Sequence, residues 1–317
     1  MQLRKEALSI AMGGVLCLSV TQAGADSLLA PWVVSDPAQG IETLLSLKFK
    51  GGGIVDSEFS STSDVHYYWF RNTGGNACFD TNTRGTVSSW DMVAQTVGGI
   101  VPLKLPFTDQ SDPQFVPAPI AAGFMVIDDE GGEREGNFSG FAYVLDLVRG
   151  DILDYKLLNN PDSTRSGDFA SLGRNVADFS WLPTNLAMTQ WLVLAVGPNM
   201  TNQPGGWDGS VSIDQNDPFA REPFGGFGVY DNDEKVWSGS ATIEVNCQAV
   251  LGRSDLMTDD QELATADGGW TRKSILPPGG NATGAVVYRV ESLVIAPNDI
   301  LMNHETAGSR FIFNALP

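Results

Sequence analysis

Few side chains in this sequence have the types and spacing that catalysis requires. The chain contains only two histidines, His66 and His304, and nucleophilic catalysis usually needs a base beside the nucleophile. His66 lies within an aromatic run, where a structural histidine is expected, and His304 lies in a polar stretch typical of a loop. A zinc site would need three or four clustered ligands, and no such spacing occurs. We therefore predict no catalytic residue, while a glycosidase-like carboxylate pair stays open as an alternative.

Acidic turns are the strongest candidates for a metal site, because calcium prefers several hard oxygen ligands from loops. Three short stretches could supply such ligands: Asp128, Asp129 and Glu130 in the first, Asp231, Asp233 and Glu234 in the second, and Asp259 with Asp260 in the third. None of them has the spacing of the twelve-residue calcium loop. Asp and Asn also tolerate the backbone angles of tight turns. Plain turns are therefore the favoured interpretation, and calcium is the one cofactor that the sequence suggests.

The cysteines indicate a disulfide. Cys17 lies in an apolar N-terminal segment, which leaves Cys78 and Cys247 in the rest of the chain. In an oxidising compartment two such cysteines are expected to pair. The alternative is two buried free thiols.

Tryptophan residues are a second kind of candidate binding group, because their faces stack on sugar rings. Trp207 lies in the glycine-rich segment 204–209 and Trp270 follows Gly268 and Gly269. Both are predicted to be exposed enough to bind a glycan, with burial in the core as the alternative.

The N-terminus is predicted to direct export. Arg4 and Lys5 precede an apolar run, and residues 23–25 fit the small-x-small pattern of a signal-peptidase site. The run is shorter than a membrane-spanning helix requires, so we expect a signal peptide over residues 1–25 and no membrane span in the mature chain. The net charge of −19 disfavours nucleic acid and anionic lipid as partners. The expected location is secreted, periplasmic or cell-surface.

Alternating apolar residues predict a succession of strands. Residues 65–71 carry bulky side chains on both faces, which predicts an inner strand covered on both sides. Leu45, Leu47 and Phe49 predict a strand with one solvated face. Residues 191–196 predict a buried strand, and residues 241–247 alternate so that Cys247 faces the core.

Some local features predict short helices and hairpins. The residues after Ser89 are expected to form a helix of about two turns, and Thr258 with Gln261 predicts a capping box that opens another helix. Residues 124–127 and 141–145 are expected to be the arms of one hairpin, and residues 228–237 to form a second hairpin.

Together these patterns predict an all-β, antiparallel β-sandwich architecture, immunoglobulin-like or jelly-roll-like, with one or two short helices. A similar order of signals after Cys78 and after Cys247 suggests two tandem sandwich domains. The expected division is a first domain at 26–160, a linker or long loop at 161–180, and a second domain at 181–317. A long surface loop within one domain would have the same composition.

The leading functional expectation is an exported, non-catalytic structural or adhesive protein of a bacterial envelope or extracellular matrix. Its partners would be other copies of itself or other envelope proteins. Residues 26–34 could pair with the sheet edge of a neighbouring subunit, or within their own domain. The alternative function is a glycan-binding module or carbohydrate-active enzyme that uses exposed tryptophans and paired carboxylates.

Overall fold

The structure is a computed structural model that describes most of the chain. The described residues are 27–36, 38–50, 62–72, 78–88, 92–97, 121–129, 137–148, 151–159, 167–201, 206–214, 228–237, 242–277, 281–296, 299–301, 304–306 and 309–311. They are dominated by antiparallel strands, with few helices, so the chain is all-β.

The described strands up to residue 159 form two antiparallel sheets. In chain order they are β1 (Ser27–Ser35), β2 (Ile41–Lys50), β3 (Thr62–Asn72), β4 (Cys78–Ser88), β5 (Met92–Thr96), β6 (Ala121–Asp129), β7 (Asn137–Asp146), β8 (Asp151–Lys156) and β9 (Leu158–Asn159). Sheet A has the order β4-β3-β6-β1-β9, and sheet B has the order β5-β2-β7-β8.

The described elements after residue 159 form two further sheets with two short helices and one 3₁₀ turn. The strands are β10 (Val176–Trp181), β11 (Ala187–Val196), β12 (Ser210–Asp214), β13 (Val229–Asp231), β14 (Val236–Trp237), β15 (Thr242–Asn246), β16 (Gln248–Leu251), β17 (Gly269–Leu276), β18 (Gly284–Ala296), β19 (Asp299–Leu301), β20 (His304–Thr306) and β21 (Ser309–Phe311). The helices are α1 (Arg253–Leu256) and α2 (Asp259–Ala264), and the 3₁₀ turn is Ala170–Leu172.

Sheet C has the order β16-β11-β18-β21-β20, and β19 also pairs with β18. Sheet D has the order β14-β13-β17-β12-β15, and β10 also pairs with β17. Every pairing described between strands is antiparallel except the single contact between β18 and β21.

Strand β3 confirms the prediction of an inner strand covered on both sides. It lies between β4 and β6. Val65, Tyr67 and Trp69 are buried on one face, and Phe70 is buried on the other. Aromatic residues remove large apolar areas from water, so this strand contributes strongly to the core.

Strand β1 pairs within its own chain. It lies between β6 and β9, and all nine of its residues are buried. The register with β6 shifts between Ala30 and Val33, where Pro31 has no N–H to give to the ladder. Of the two pairings considered for residues 26–34, the structure has the internal one over the described residues 27–34.

Two local predictions are wrong. Residues 92–96 form strand β5 rather than a helix. Val93 and Gln95 are buried while Met92 and Ala94 are exposed, and this period of two suits pairing with β2.

The expected hairpin of 124–127 with 141–145 does not form, since β6 pairs with β1 and β3 in sheet A and β7 pairs with β2 and β8 in sheet B. Both segments are apolar on both faces, so their pattern did not fix the partner.

Other local predictions are confirmed. Thr258 caps α2, and its backbone N–H donates to Gln261 Oε1 at 2.9 Å. The hairpin within 228–237 is formed by β13 and β14. Val245 and Cys247 are both buried, so the thiol of Cys247 is on the core side.

Contacts between sheets position the core. Thr43 Oγ1 of sheet B donates to Val34 O of sheet A at 2.8 Å, and the Tyr155 hydroxyl donates to Trp32 O. In the second part of the chain, Trp181 of sheet D meets Trp191 of sheet C edge to face, with ring centroids 6.2 Å apart. Contacts also cross between the two parts, since Gln248 Nε2 donates to Pro31 O at 2.5 Å.

Candidate functional site

Trp207 is a buried anchor rather than an exposed platform. Its side chain is fully buried, and its indole N–H donates to Ala195 O at 3.0 Å. The expectation that Trp207 is exposed is therefore corrected, because its ring has no solvent face for a sugar to stack on. The glycine-rich segment suggested a surface loop, but Gly209 gives close backbone approach instead, and a Cβ there would lie 2.2 Å from the Trp207 ring.

Cys78 and Cys247 lie together against Trp207. Cys78 and Trp207 exchange both backbone hydrogen bonds, at 2.8 and 3.0 Å. The Cys247 thiol donates to Trp207 O at 3.0 Å, and the Cys247 N–H donates to Gly209 O at 2.8 Å. Both side chains are buried.

The expected disulfide is not formed in this structure, which has both cysteines as free thiols. The pairing in space was foreseen, but the bond was not observed. A hydrogen bond with the Cys247 side chain, together with burial, raises the pKa of the Cys78 thiol well above its usual range. Both cysteines lie against the same atom, because Trp207 O accepts from the Cys78 N–H and from the Cys247 thiol.

Trp270 lies on β17 of sheet D, and it forms an aromatic pair with Tyr230. The two rings are stacked, with centroids 4.3 Å apart and an interplanar angle of 7°. They are direct cross-strand neighbours on β17 and β13. Trp270 is half-buried, so part of its ring is accessible.

A salt bridge lies beside this aromatic pair. Arg272 donates from Nε to Asp178 Oδ1 at 2.6 Å and from NH2 to Asp178 Oδ2 at 3.0 Å. Residues two apart on a strand share a face, so the guanidinium and the carboxylate flank the Trp270 ring.

The acidic stretch at 231–234 is used by its own hairpin. Asp231 Oδ1 accepts hydrogen bonds from the backbone N–H groups of Asp233 and Lys235, at 3.0 and 2.8 Å. The Lys235 bond is the main reason that the pKa of Asp231 is lowered. Glu234 takes the left-handed backbone conformation, with φ of 61°, which matches the plain-turn interpretation of this stretch.

The acidic stretch at 128–130 begins inside a strand. Asp128 is buried in β6, where its cross-strand neighbours are His66 and Ser27. Asp129 ends β6, and Glu130 lies outside the described residues. Among the described residues, no group of three or more His, Cys, Asp or Glu side chains is arranged to hold a metal ion.

His66 lies in the core of sheet A. It is buried, and its ring is 3.9 Å from that of Tyr68, centroid to centroid. His304 begins β20.

A buried lysine was not singled out from the sequence. Lys273 lies on β17 between Thr271 and Ile275, and all three side chains are buried. Burial lowers the pKa of Lys273 to about 8, and the nearby Asp214 carboxylate acts in the opposite direction. The signal was available, because Lys273 occupies a core-facing position in the alternation of that strand.

Sheet B presents an apolar surface to solvent. We call it the sheet B outer face, and its apolar members are Leu44, Met92, Phe141, Tyr143, Leu145 and Ile152. They follow from the register, in which Leu44 is opposite Tyr143 and Ile152 is opposite Leu145. Met92, Phe141 and Ile152 are 70, 45 and 58% exposed.

The comparisons with known proteins give no relative. The chain matches no family model, no curated protein and no solved structure. In the part of the chain that the structure describes, no helix has the length and apolar character needed to cross a membrane.

Proposed function

We propose that this protein is an exported, non-catalytic structural or adhesive component of a bacterial envelope or extracellular matrix, and that it self-associates through the sheet B outer face. The apolar exposure of this face is the observation that carries the proposal. Contiguous exposed apolar surface is uncommon on monomeric proteins and marks interaction sites. The N-terminal export pattern supports the location.

The apolar surface continues past the end of β7. Leu147 and Val148, which follow Asp146 in the turn before β8, are 48 and 76% exposed. They extend the apolar strip beyond Leu145 and Ile152. A surface with members on all four strands of sheet B and on a turn is better suited to a flat protein surface than to a small ligand.

The charge on this face favours a second copy of the chain as the occupant. Lys48 lies opposite Met92 and Lys156 lies opposite Phe141, and both lysines are exposed. The chain as a whole has a net charge of −19. The same face also carries the exposed carboxylate of Asp154, opposite Tyr143. With two exposed lysines and one exposed carboxylate among its described residues, the face has a small positive excess that favours the acidic surface of another copy.

The proposed architecture is two sandwiches in tandem, the first from residues 26–160 and the second from 181–317. Strands β1 to β9 build only sheets A and B, and strands β10 to β21 build only sheets C and D. Side-chain contacts between A and B, and between C and D, support face-to-face packing within each pair. The segment 161–180 would connect them, although β10 already begins at Val176.

The association is tested by paired substitutions on two different faces. Phe141→Ser with Ile152→Ser removes apolar surface from the sheet B outer face. Val236→Ser with Leu276→Ser is the matched control on sheet D, where these side chains are 45 and 39% exposed. Sedimentation velocity should show concentration-dependent association of the chain from Asp26 onward, its loss in the first variant and its retention in the control. A wild-type chain that stays monomeric at high concentration, or equal loss in both variants, would contradict the proposal.

The stacked Tyr230–Trp270 pair favours glycan binding as a second candidate function. A sugar would lie against the accessible part of the Trp270 ring, with Asp178 and Arg272 as hydrogen-bonding groups. On a glycan array, Trp270→Ala should abolish binding, whereas Trp207→Phe, which alters a buried ring, should keep it. Unchanged binding by Trp270→Ala would remove this candidate.

A further inference from the structure

The contact between Cys78 and Cys247 lies where three sheets meet. Cys78 is the first residue of β4 in sheet A. Cys247 lies between β15 of sheet D and β16 of sheet C, so it is the residue at which the chain passes from one sheet to the next. A bond between these two sulfur atoms would join the two parts of the chain at one point.

The surroundings hold both residues in place. The same residue, Trp207, exchanges backbone hydrogen bonds with Cys78, and its carbonyl oxygen accepts a hydrogen bond from the Cys247 thiol. Cys247 has the left-handed backbone conformation, with φ of 58°. This conformation is uncommon for a residue with a side chain and persists where the surrounding structure imposes it. The close approach of the two cysteines is therefore built into the fold.

The hydrogen bonds place the two cysteines against one carbonyl group. The single S–H of Cys247 donates to the Trp207 carbonyl oxygen at 3.0 Å. The backbone N–H of Cys78 donates to the same oxygen at 2.8 Å. The two cysteines therefore lie side by side against one acceptor atom.

We propose that Cys78 and Cys247 form a redox pair whose state is fixed when the chain folds. If a disulfide oxidant is present during folding, one thiolate attacks it, forms a mixed disulfide and releases one reduced thiol. The second cysteine then attacks the mixed disulfide, closes the Cys78–Cys247 bond and releases the second reduced thiol. If no oxidant is present, the chain folds with both thiols reduced, as in this structure.

Burial explains why the state would persist after folding. Thiol–disulfide exchange proceeds through the thiolate and needs access to the sulfur. Both cysteines are buried, and the raised pKa of Cys78 suppresses its thiolate. In the folded protein, oxidation of the two thiols and reduction of the disulfide should both be slow. The oxidation state of the pair therefore reflects the redox conditions under which the chain folded. The inference concerns the fold and is independent of the proposed association.

The test compares refolding with native incubation. The chain is unfolded in denaturant with reductant, then refolded in oxidised or in reduced glutathione. Oxidative refolding should give a species lighter by two hydrogen atoms, with a Cys78–Cys247 link in the non-reducing peptide map. Closing a loop of about 170 residues should raise the melting temperature by roughly 10 °C. Reduced protein incubated folded with oxidised glutathione should stay reduced for hours.

Substitution provides the control. Cys247→Ser, refolded in the same oxidised buffer, should show neither the link nor the rise in melting temperature. A peptide map without the Cys78–Cys247 link after oxidative refolding would overturn the redox pair. Rapid oxidation of the folded protein would overturn the claim that folding fixes its state.

Discussion

Replacing Lys273 by methionine should stabilise the protein at neutral pH. The lysine is fully buried, and burial lowers its pKa from 10.5 to about 8. A shift of this size means that the charged amine is disfavoured in the folded state by about 3 kcal/mol. Methionine has a similar length and no charge, so Lys273→Met should raise the free energy of unfolding at pH 7 by about that amount.

The stabilisation should also depend on pH in a defined direction. A lysine with a lowered pKa in the folded state loses its proton there first, while the unfolded chain still holds its own. Stability therefore rises with pH between about 8 and 10.5. For a pKa of about 8 in the folded protein, the wild type should gain about 2 kcal/mol between pH 7 and pH 9.5. The Lys273→Met variant lacks this gain. The difference in free energy of unfolding between the variant and the wild type should therefore narrow by about 2 kcal/mol between pH 7 and pH 9.5.

Urea unfolding at pH 7, 8, 8.75 and 9.5 measures the difference in free energy of unfolding between Lys273→Met and the wild type. Cys78 and Tyr67 have raised pKa values, so they lower the stability of the folded protein at high pH. They do so equally in the wild type and in the variant, so their contribution cancels in the difference between the two free energies of unfolding. Leu263→Met is the control, because Leu263 is 79% exposed and carries no titratable group, so the difference between its free energy of unfolding and that of the wild type should not change with pH. The reasoning would be refuted if the difference in free energy of unfolding between Lys273→Met and the wild type did not change with pH, or if the variant were less stable than the wild type at pH 7.

Three further substitutions test the local geometry. Trp207→Ala should lower the free energy of unfolding by about 3–5 kcal/mol in urea, because it opens a cavity and removes the hydrogen bond to Ala195. Asp231→Ala should lower the melting temperature more than Asp233→Ala does, because only the Asp231 carboxylate accepts the hairpin N–H groups. Arg253→Lys should cost about 1–3 kcal/mol in chemical denaturation, since the guanidinium donates to Glu262 O and lies over the Trp181 ring; an unchanged unfolding midpoint would contradict this.

Period-two alternation was informative where only one face of a strand is apolar. Leu45, Leu47 and Phe49 are buried while Lys48 is exposed, as the pattern predicted. The capping box at Thr258 was also readable, because its two hydrogen bonds depend on residues three apart.

The sequence did not predict which strands pair with each other where both faces of a strand are apolar. In β7, Phe141 and Ala142 both suit a core, and only the pairing with β2 and β8 shows that Phe141 faces solvent. The same limit explains the wrong hairpin between β6 and β7. The exposed face on which the proposed function depends was therefore hidden from the sequence.

The candidate site residues were predicted unevenly. The proximity of Cys78 and Cys247 was foreseen from the cysteine count. The burial of Trp207 was not, because a glycine-rich segment predicts a surface loop and gives no sign of the long-range bridge to Cys78. Likewise, Tyr230 becomes a partner of Trp270 only through the pairing of β13 with β17.

Hydroxyl-radical footprinting at low and high protein concentration tests the central claim most directly. Met92 and Phe141 lie on the sheet B outer face, and Leu263 on α2 is an exposed reference at 79%. If copies of the chain associate through this face, oxidation of Met92 and Phe141 should fall as concentration rises, while oxidation of Leu263 stays constant. Equal oxidation of Met92 and Phe141 at both concentrations would contradict the account.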